Sequence, residues 1–366
     1  MARDLAAEPD FNVTVADRDG ERLDRLRAEF PVTAMQRDLS DPETVRSLAA
    51  GQDLVINAMP GFLGYRTLQA VLEAGRNVVD IAFFEEDPFA LDALARERSA
   101  IAVVDCGVSP GMSNILISHA HHQLDETDDA LILVGGLPQT RTWPFEYKAV
   151  FSPADVIEEY TRPARLVENG QVVVKPALSE CERMDFPRVG TLEAFNSDGL
   201  RTLLTTIPAK NMREKTLRYP GHAEKMALFR ETGLFRTDEI EVNGQRVRPL
   251  DLTSHLLFKE WKLEAGEADL TIMRVVVEGR KNGVRRRHTY DLFDTWDAAT
   301  RTHSMARTTG YTATVTARMI VDGVFTRTGI SAPEAIGAQP ACVDFLLAGL
   351  KERGVVYEQR VERLEG

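Results

Sequence analysis

The stretch Ile101–Asn114 limits what this chain can fold into more than any other. A short β-branched run, Ile101-Ala-Val-Val-Asp105, gives way to Cys106-Gly-Val-Ser-Pro-Gly111, and a helical pattern starts near Ser113. An apolar run followed at once by Gly107, Pro110 and Gly111 predicts a buried parallel strand, a tight turn and a helix N-terminus. In open α/β sheets, ligands sit beyond the carboxyl ends of the strands. Upstream the pattern alternates strand and helix; downstream it is longer and richer in strands. The turn is therefore expected to be both the floor of a site and the exit into a second domain.

Upstream, strands are predicted at Phe11–Ala16, Val32–Met35, Asp53–Ala58 and Asn77–Ile81. Helices are predicted at Ala2–Glu8, Glu21–Phe30, after the cap Asp41 to Ala50, to Ala74, and at Pro88–Ser99. Repeated strand–helix units with short turns mean a Rossmann-like, doubly wound parallel sheet. Such a sheet normally opens with a strand and a glycine-rich turn that seats a pyrophosphate on the first helix. Here the pattern begins inside that helix. The expectation is that a first strand and glycine loop, on the order of 15 residues, are missing. Either Met1 is an internal methionine taken for the start, or the protein lacks the segment.

By position, Asp17 sits where an acidic residue reaches the adenosine ribose hydroxyls, which favours NAD over NADP. Arg18 beside it would tolerate a 2′-phosphate. Asn57, Ala58 and Pro60 end a strand at the switch point and are expected near the nicotinamide ribose. Asp80 and Asp105 end neighbouring strands on that side, and either could orient or deprotonate an amine.

Downstream, Ala130–Val134 opens a new sheet, with strands at Val167–Lys175, Leu270–Gly279 and Val284–Phe293 and helices at Ala223–Glu231 and Pro249–Phe258. Hairpins are expected around Gly170 and Asn282-Gly283. Consecutive strands predict a mostly antiparallel sheet in a second, α+β domain. A helical pattern returns over Thr308–Asp322, and Ala341–Arg353 is a closing helix. The expected division is residues 1–118 for dinucleotide binding, completed by 308–366, with 119–307 for substrate binding and dimerisation.

At 366 residues the chain supports two cores. A net charge of −12 argues against a polyanion such as nucleic acid, and Arg285-Arg286-Arg287 reads as a solvated strand edge. Cys106, Cys181 and Cys342 make no disulfide framework and suit a reducing, cytoplasmic setting. No apolar stretch approaches the roughly 20 residues that span a bilayer. On a helix only His119 and His122 of the His119, His121, His122 group face together, and no metal site is expected. Cys106 reads as a small buried hydrophobe.

Several motifs converge on a family. Asp105-Cys-Gly-Val-Ser-Pro-Gly-Met-Ser-Asn114 resembles the glycine–x–x–proline–glycine turn of saccharopine dehydrogenase-like reductases. Pro144-Phe-Glu-Tyr-Lys-Ala-Val-Phe-Ser-Pro153, Thr191-Leu-Glu-Ala-Phe195 and Leu217-Arg-Tyr-Pro-Gly-His-Ala-Glu-Lys225 resemble segments of their substrate domain. The likeness covers nearly the whole chain and is nearest to the L-lysine 6-dehydrogenase branch. It implies an NAD- or NADP-dependent enzyme that oxidises a CH–NH group of an amino acid, after which water hydrolyses the imine. Domain closure would exclude water during hydride transfer.

In this setting Asp105, Tyr147 and His222 are the expected catalytic residues, His222 as a proton shuttle at neutral pH with Arg218 close by. Glu146 would suit a substrate ammonium, and Lys148 or Arg141 a substrate carboxylate. Ser109 stands where saccharopine reductases place an acidic residue, which favours a smaller amine. The expected partners are an amino-acid substrate and a second copy of the chain, with no nucleic acid or membrane. The alternatives are saccharopine or another secondary amine as substrate, and a non-catalytic scaffold.

Overall fold

The computed structural model describes residues 1–264 and 266–365. In chain order the first elements are α1 (Ala2–Ala6), β1 (Thr14–Asp17), α2 (Gly20–Glu29), β2 (Thr33–Gln36), α3 (Pro42–Ala49), β3 (Leu54–Asn57), α4 (Gly61–Glu73), β4 (Asn77–Asp80), α5 (Asp92–Glu97), β5 (Ile101–Val103) and α6 (Met112–His122). Then come β6 (Glu126–Pro138), α7 (Pro153–Thr161), β7 (Ala164–Glu168), β8 (Gln171–Lys175), β9 (Glu182–Phe186), β10 (Gly190–Asn196), α8 (Leu203–Thr206), β11 (Asn211–Arg218) and α9 (His222–Glu231). The chain ends with β12 (Ile240–Val242), β13 (Gln245–Val247), α10 (Pro249–Trp261), β14 (Asp269–Lys281), β15 (Val284–Thr295), α11 (Ser304–Val321), β16 (Gly329–Ser331), α12 (Glu334–Gly337), α13 (Pro340–Glu352) and β17 (Tyr357–Arg363).

Two compact units result: Met1–Ile115 with Thr309–Gly354, and Leu116–Thr308 with the chain from Val355 onward. The first is the expected parallel α/β layer. β16, β5, β4 and β3 form one parallel sheet, and β1 pairs with β2 in another. Among the described residues neither β1 nor β3 has a second strand neighbour. The consequence is visible in burial. Val78, Val79, Ala102 and Val103 are fully buried, whereas Val15, Ala16, Leu54, Val55 and Ile56 are only half-buried. Asp41 caps α3 as predicted, accepting the Glu43 and Thr44 N–H groups at 3.2 Å. Apolar residues of α4, such as Leu68, Val71 and Leu72, pack on β4 and β5 residues to make the core.

α1 is held by charge. Asp4 accepts bonds from Thr314 Oγ1 (2.6 Å), Arg318 Nη1 (2.8 Å) and Arg353 Nε (2.7 Å), and Glu8 accepts from Arg318 Nη2 at 2.7 Å. Burial alone would raise the Asp4 carboxyl; the Thr314 bond and the two arginines outweigh it and hold it below its ordinary range.

The second unit is built on one large sheet, β17–β15–β14–β6–β11–β10–β9, with β7 and β8 attached beside β11. It is antiparallel except for β6 against β11. The hairpins at Asn169-Gly170 and Asn282-Gly283 form as expected, each turn having positive φ at both positions. The predicted strand Val167–Lys175 is two strands around the first of these turns. One expectation is corrected: the chain from Val355 onward does not complete the first unit. β17 pairs with β15 over Tyr357–Arg363, adding an edge to the second sheet. No described helix is long and apolar enough to cross a membrane.

Candidate functional site

The carboxyl ends of the first unit's parallel strands gather the residues expected near a cofactor. β1 ends on Asp17, β3 on Asn57 and β4 on Asp80, and β5 leads into Asp105. Asn57 and Asp80 are directly opposite in register and both buried. Asn57 Nδ2 donates to Asp80 Oδ2 at 2.7 Å and to the Gly64 carbonyl at 3.1 Å, and its Oδ1 accepts the Met59 N–H. Asp80 Oδ1 accepts the Ala82 N–H at 2.7 Å. These side chains are committed to bracing the strand ends. They shape the loop, while Ala58 and Pro60 form its exposed surface.

Asp17 Oδ1 accepts the Asp19 N–H at 2.9 Å, and Asp19 in turn caps α2. No bond to Asp17 Oδ2 occurs among the described residues, so that oxygen can meet a ribose hydroxyl. Arg18 is exposed, with its carbonyl held by Gln36 Nε2 at 3.0 Å. Asp17 and the Ala58–Pro60 loop are the described positions where the ribose and nicotinamide ends of a dinucleotide could be met.

Asp105 is buried at φ +50°, a left-handed conformation that aspartate tolerates better than most residues. The turn beyond it closes on itself, with Gly107 N–H to the Pro110 carbonyl at 3.1 Å and Met112 N–H to the Gly107 carbonyl at 2.9 Å. Gly111 sits at φ +133°, where a Cβ would lie 2.0 Å from the Gly107 oxygen. Only glycine fits there. Ser109 remains half-buried at the tip, and Ser113 Oγ lies 3.0 Å from both Ser109 Oγ and Asn114 Oδ1. Asn114 Nδ2 ties the turn to Glu334 at 3.1 Å. Cys106 is buried against Thr316, and burial pushes its thiol up to about 12, so it is no nucleophile at neutral pH.

In the second unit Tyr147 and His222 come together, ring centroids 5.0 Å apart. Tyr160, Arg218 and Trp261 complete the cluster, all fully buried. His222 Nδ1 lies 2.8 Å from the Phe145 carbonyl, which can only accept, so Nδ1 carries the proton. Nε2 is then an acceptor, and the Tyr160 hydroxyl donates to it at 2.9 Å. Arg218 Nε donates to the Tyr160 oxygen at 3.2 Å, and its Nη2 pairs with Glu159. Burial and the Arg218 charge push His222 down to about 3. The expected neutral-pH proton shuttle is therefore corrected: His222 is a neutral imidazole locked in one tautomer. Burial likewise holds the Tyr147 phenol well above its ordinary range, leaving it a donor and not a base. Among the described residues the Tyr147 hydroxyl and Trp261 Nε1 have no hydrogen-bond partner.

The flanking candidates are dispersed. Arg141 is exposed with its guanidinium 4.1 Å over the Tyr219 ring. Lys148 Nζ reaches the Lys262 carbonyl at 3.2 Å, and Glu146 is half-buried at φ +54°. His119, His121 and His122 each bond elsewhere, to Gln123, Thr127 and the Ser118 carbonyl. Among the described residues no group of three histidine, cysteine or acidic side chains could hold a metal.

Sequence reasoning missed a second polar line on β11. Glu214, Thr216 and Arg218 share one face and are buried. Ser197 Oγ donates to Glu214 Oε2 at 2.6 Å and sits 2.7 Å from Thr216 Oγ1. Burial pushes the Glu214 carboxyl up to about 8, with Glu159 and Asp198 adding to the rise. Glu193, also missed, takes the Gly221 N–H at 2.9 Å and fixes the start of α9.

Comparison with known proteins gives two adjoining family matches. Residues 1–103 match the saccharopine dehydrogenase NADP binding domain, and residues 107–355 match the saccharopine dehydrogenase C-terminal domain. A carboxyaminopropylagmatine dehydrogenase from Synechocystis is 24% identical, covering 99% of this chain and 94% of that protein. An L-glutamate-forming, NADP-dependent saccharopine dehydrogenase from Schizosaccharomyces pombe is 21% identical, covering 98% and 95%. Among solved structures, apo saccharopine dehydrogenase from Saccharomyces cerevisiae superposes with a TM-score of 0.81 at 17% identity, covering 98% of this chain and 96% of that one.

Proposed function

Because the chain belongs to the saccharopine dehydrogenase family and is an NAD(P)-dependent oxidoreductase, we propose that it oxidises the CH–NH carbon of an amino-acid-derived amine. The observation that supports this reading is that parallel strands of the first unit end on Asp17, Asn57 and Asp80, and that β5 leads through Asp105 into the Gly107–Gly111 turn. The nicotinamide, when bound, supplies the hydride acceptor. The amine loses a hydride from carbon and a proton from nitrogen to become an imine, and water then splits the imine into a carbonyl compound and an amine. Asp105 is the proposed proton acceptor, with Ser109 at the turn's tip as a substrate contact. Asp17 favours NAD, since a carboxylate repels a 2′-phosphate; Arg18 keeps NADP within reach.

In the second unit Arg141 is the better candidate for a substrate carboxylate, because Lys148 already serves a backbone carbonyl. Glu146 would take an ammonium. Tyr147 and His222, both buried with ring centroids 5.0 Å apart, are proposed as positioning residues of the second unit. The relatives named above act, by their names, on saccharopine and carboxyaminopropylagmatine, which favours a secondary amine over free lysine. Steady-state assays of saccharopine, carboxyaminopropylagmatine and lysine with NAD and with NADP test this. Turnover of a secondary amine at a kcat/KM at least tenfold above that for lysine is expected. Faster turnover of lysine would favour the lysine 6-dehydrogenase reading.

A further inference from the structure

The segment joining β6 to α7 presents one large side chain to solvent. Trp143 is 82% exposed, whereas Trp261 is fully buried and Trp296 half-buried. The chain on both sides of Trp143 is pinned. Before it, Arg141 lies 4.1 Å over the Tyr219 ring. After it, Phe145 packs edge-on to Phe229 and Trp261, with centroids 6.1 and 6.0 Å away, and its carbonyl accepts the His222 Nδ1–H at 2.8 Å. The Glu146 N–H closes the turn onto the Thr142 carbonyl at 2.9 Å, so Trp143 and Glu146 leave the same tight turn. A single exposed apolar residue needs no explanation. Here it is accompanied by a carboxylate: Glu146 is half-buried, and its side chain makes no hydrogen bond or ion pair among the described residues. No cation of the chain lies over the Trp143 ring among those residues either, since Arg141 is held by Tyr219.

We propose that Trp143 and Glu146 form a guanidinium-binding pair, which makes the substrate an amino-acid-derived amine that also carries a guanidinium group. The proposal rests on the reading above, in which Glu146 takes a cation of the substrate; it adds which cation, and the side chain that selects it. The face of an indole attracts positive charge, and an unpaired carboxylate accepts hydrogen bonds from it. A guanidinium uses both at once: it is planar and stacks on an aromatic ring, and its N–H groups form a fork that matches a carboxylate. An ammonium is a compact, strongly hydrated point charge and gains less from the ring. The pair acts on binding and takes no part in hydride or proton transfer, so its loss is read in KM with kcat held.

The test uses the full chain, with and without NAD, and three probes. They are agmatine, N-carbamoylputrescine, in which a neutral urea replaces the guanidinium, and cadaverine, in which an ammonium does. Isothermal titration should give agmatine a dissociation constant about tenfold or more below those of the other two. Trp143→Ala and Glu146→Gln should each weaken agmatine about tenfold and leave N-carbamoylputrescine unchanged, and Trp143→Phe should keep most of the affinity. Glu146→Gln carries the same test should Trp143→Ala fail to fold. Agmatine that does not bind, that binds no better than either other probe, or that binds both variants as it binds the parent would overturn the proposal. So would a variant that weakens all three probes alike, which is the mark of a structural role. The result is separable from oxidation itself: turnover of secondary amines with no preference for a guanidinium sinks the pair and spares the dehydrogenase reading, and guanidinium-selective binding without turnover does the reverse.

Discussion

The Tyr160 hydroxyl donates to His222 Nε2 at 2.9 Å, and that one contact fixes the chemistry of the buried cluster around it. With Nδ1–H committed to Phe145 and Arg218 donating to the Tyr160 oxygen, every polar atom along the line has a defined role. Tyr160→Phe leaves Nε2 without a donor and Arg218 Nε without an acceptor. A loss of about 1–3 kcal/mol is expected, read as a lower urea midpoint at unchanged slope.

His222 also gives a pH signature. Its folded-state pKa, about 3, lies below the ordinary 6.5, so between those values the unfolded chain binds the extra proton. Stability contributed by the neutral ring is present above pH 6.5 and is lost as pH falls toward 3. Urea midpoints measured from pH 7 down to 4 should fall less steeply in His222→Gln than in the parent protein.

Glu214 has the opposite sign. Its folded-state pKa, about 8, lies above the ordinary 4.5 because burial disfavours its charge. Its contribution is fully present below pH 4.5 and is lost as pH rises through 8. Glu214→Gln should therefore be close to neutral at pH 4.5 and stabilising at pH 8.5, checked by thermal unfolding at the two pH values.

The turn under the proposed site allows a matched pair of glycine tests. Gly111→Ala puts a Cβ 2.0 Å from backbone oxygen, whereas Gly170→Ala, at φ +77°, meets nothing within 4 Å. The second should cost about 1 kcal/mol from backbone conformation alone, and the first at least ~3 kcal/mol or failure to fold. Equal effects would contradict the tight closure of residues 107–111.

Much of this was legible before any coordinates. Apolar runs such as Asn77–Ile81 and Ile101–Val103, set between helices, announced the parallel layer, and Asn-Gly pairs announced both long hairpins. What stayed hidden was hidden by charge. β11 reads Asn-Met-Arg-Glu-Lys-Thr-Leu-Arg and looks solvated, yet Lys215 pairs with Glu182 at 2.5 Å, Arg218 with Glu159, and Glu214 with Ser197. Those partners come from distant segments that a local pattern cannot supply. β17 was missed for a simpler reason: as an edge strand it is exposed along nearly all its length and shows no apolar face. The sequence suggests His222 as a proton shuttle, whereas burial beside Arg218 pushes its imidazole down to about 3, and burial depth is a tertiary property.

Cofactor choice rests on Asp17. Asp17→Ala should weaken NAD binding on the order of tenfold, as loss of one charge-assisted hydrogen bond implies, and leave NADP binding equal or tighter by isothermal titration.

The most direct measurement of the central claim follows the hydride itself. The protein is incubated with NAD or NADP and saccharopine or carboxyaminopropylagmatine deuterated at the carbons bonded to the secondary nitrogen. The account predicts reduced cofactor one mass unit heavier than the unlabelled product, formed together with an equal amount of carbonyl product. Bound cofactor that stays oxidised with both these amines and with lysine would contradict it.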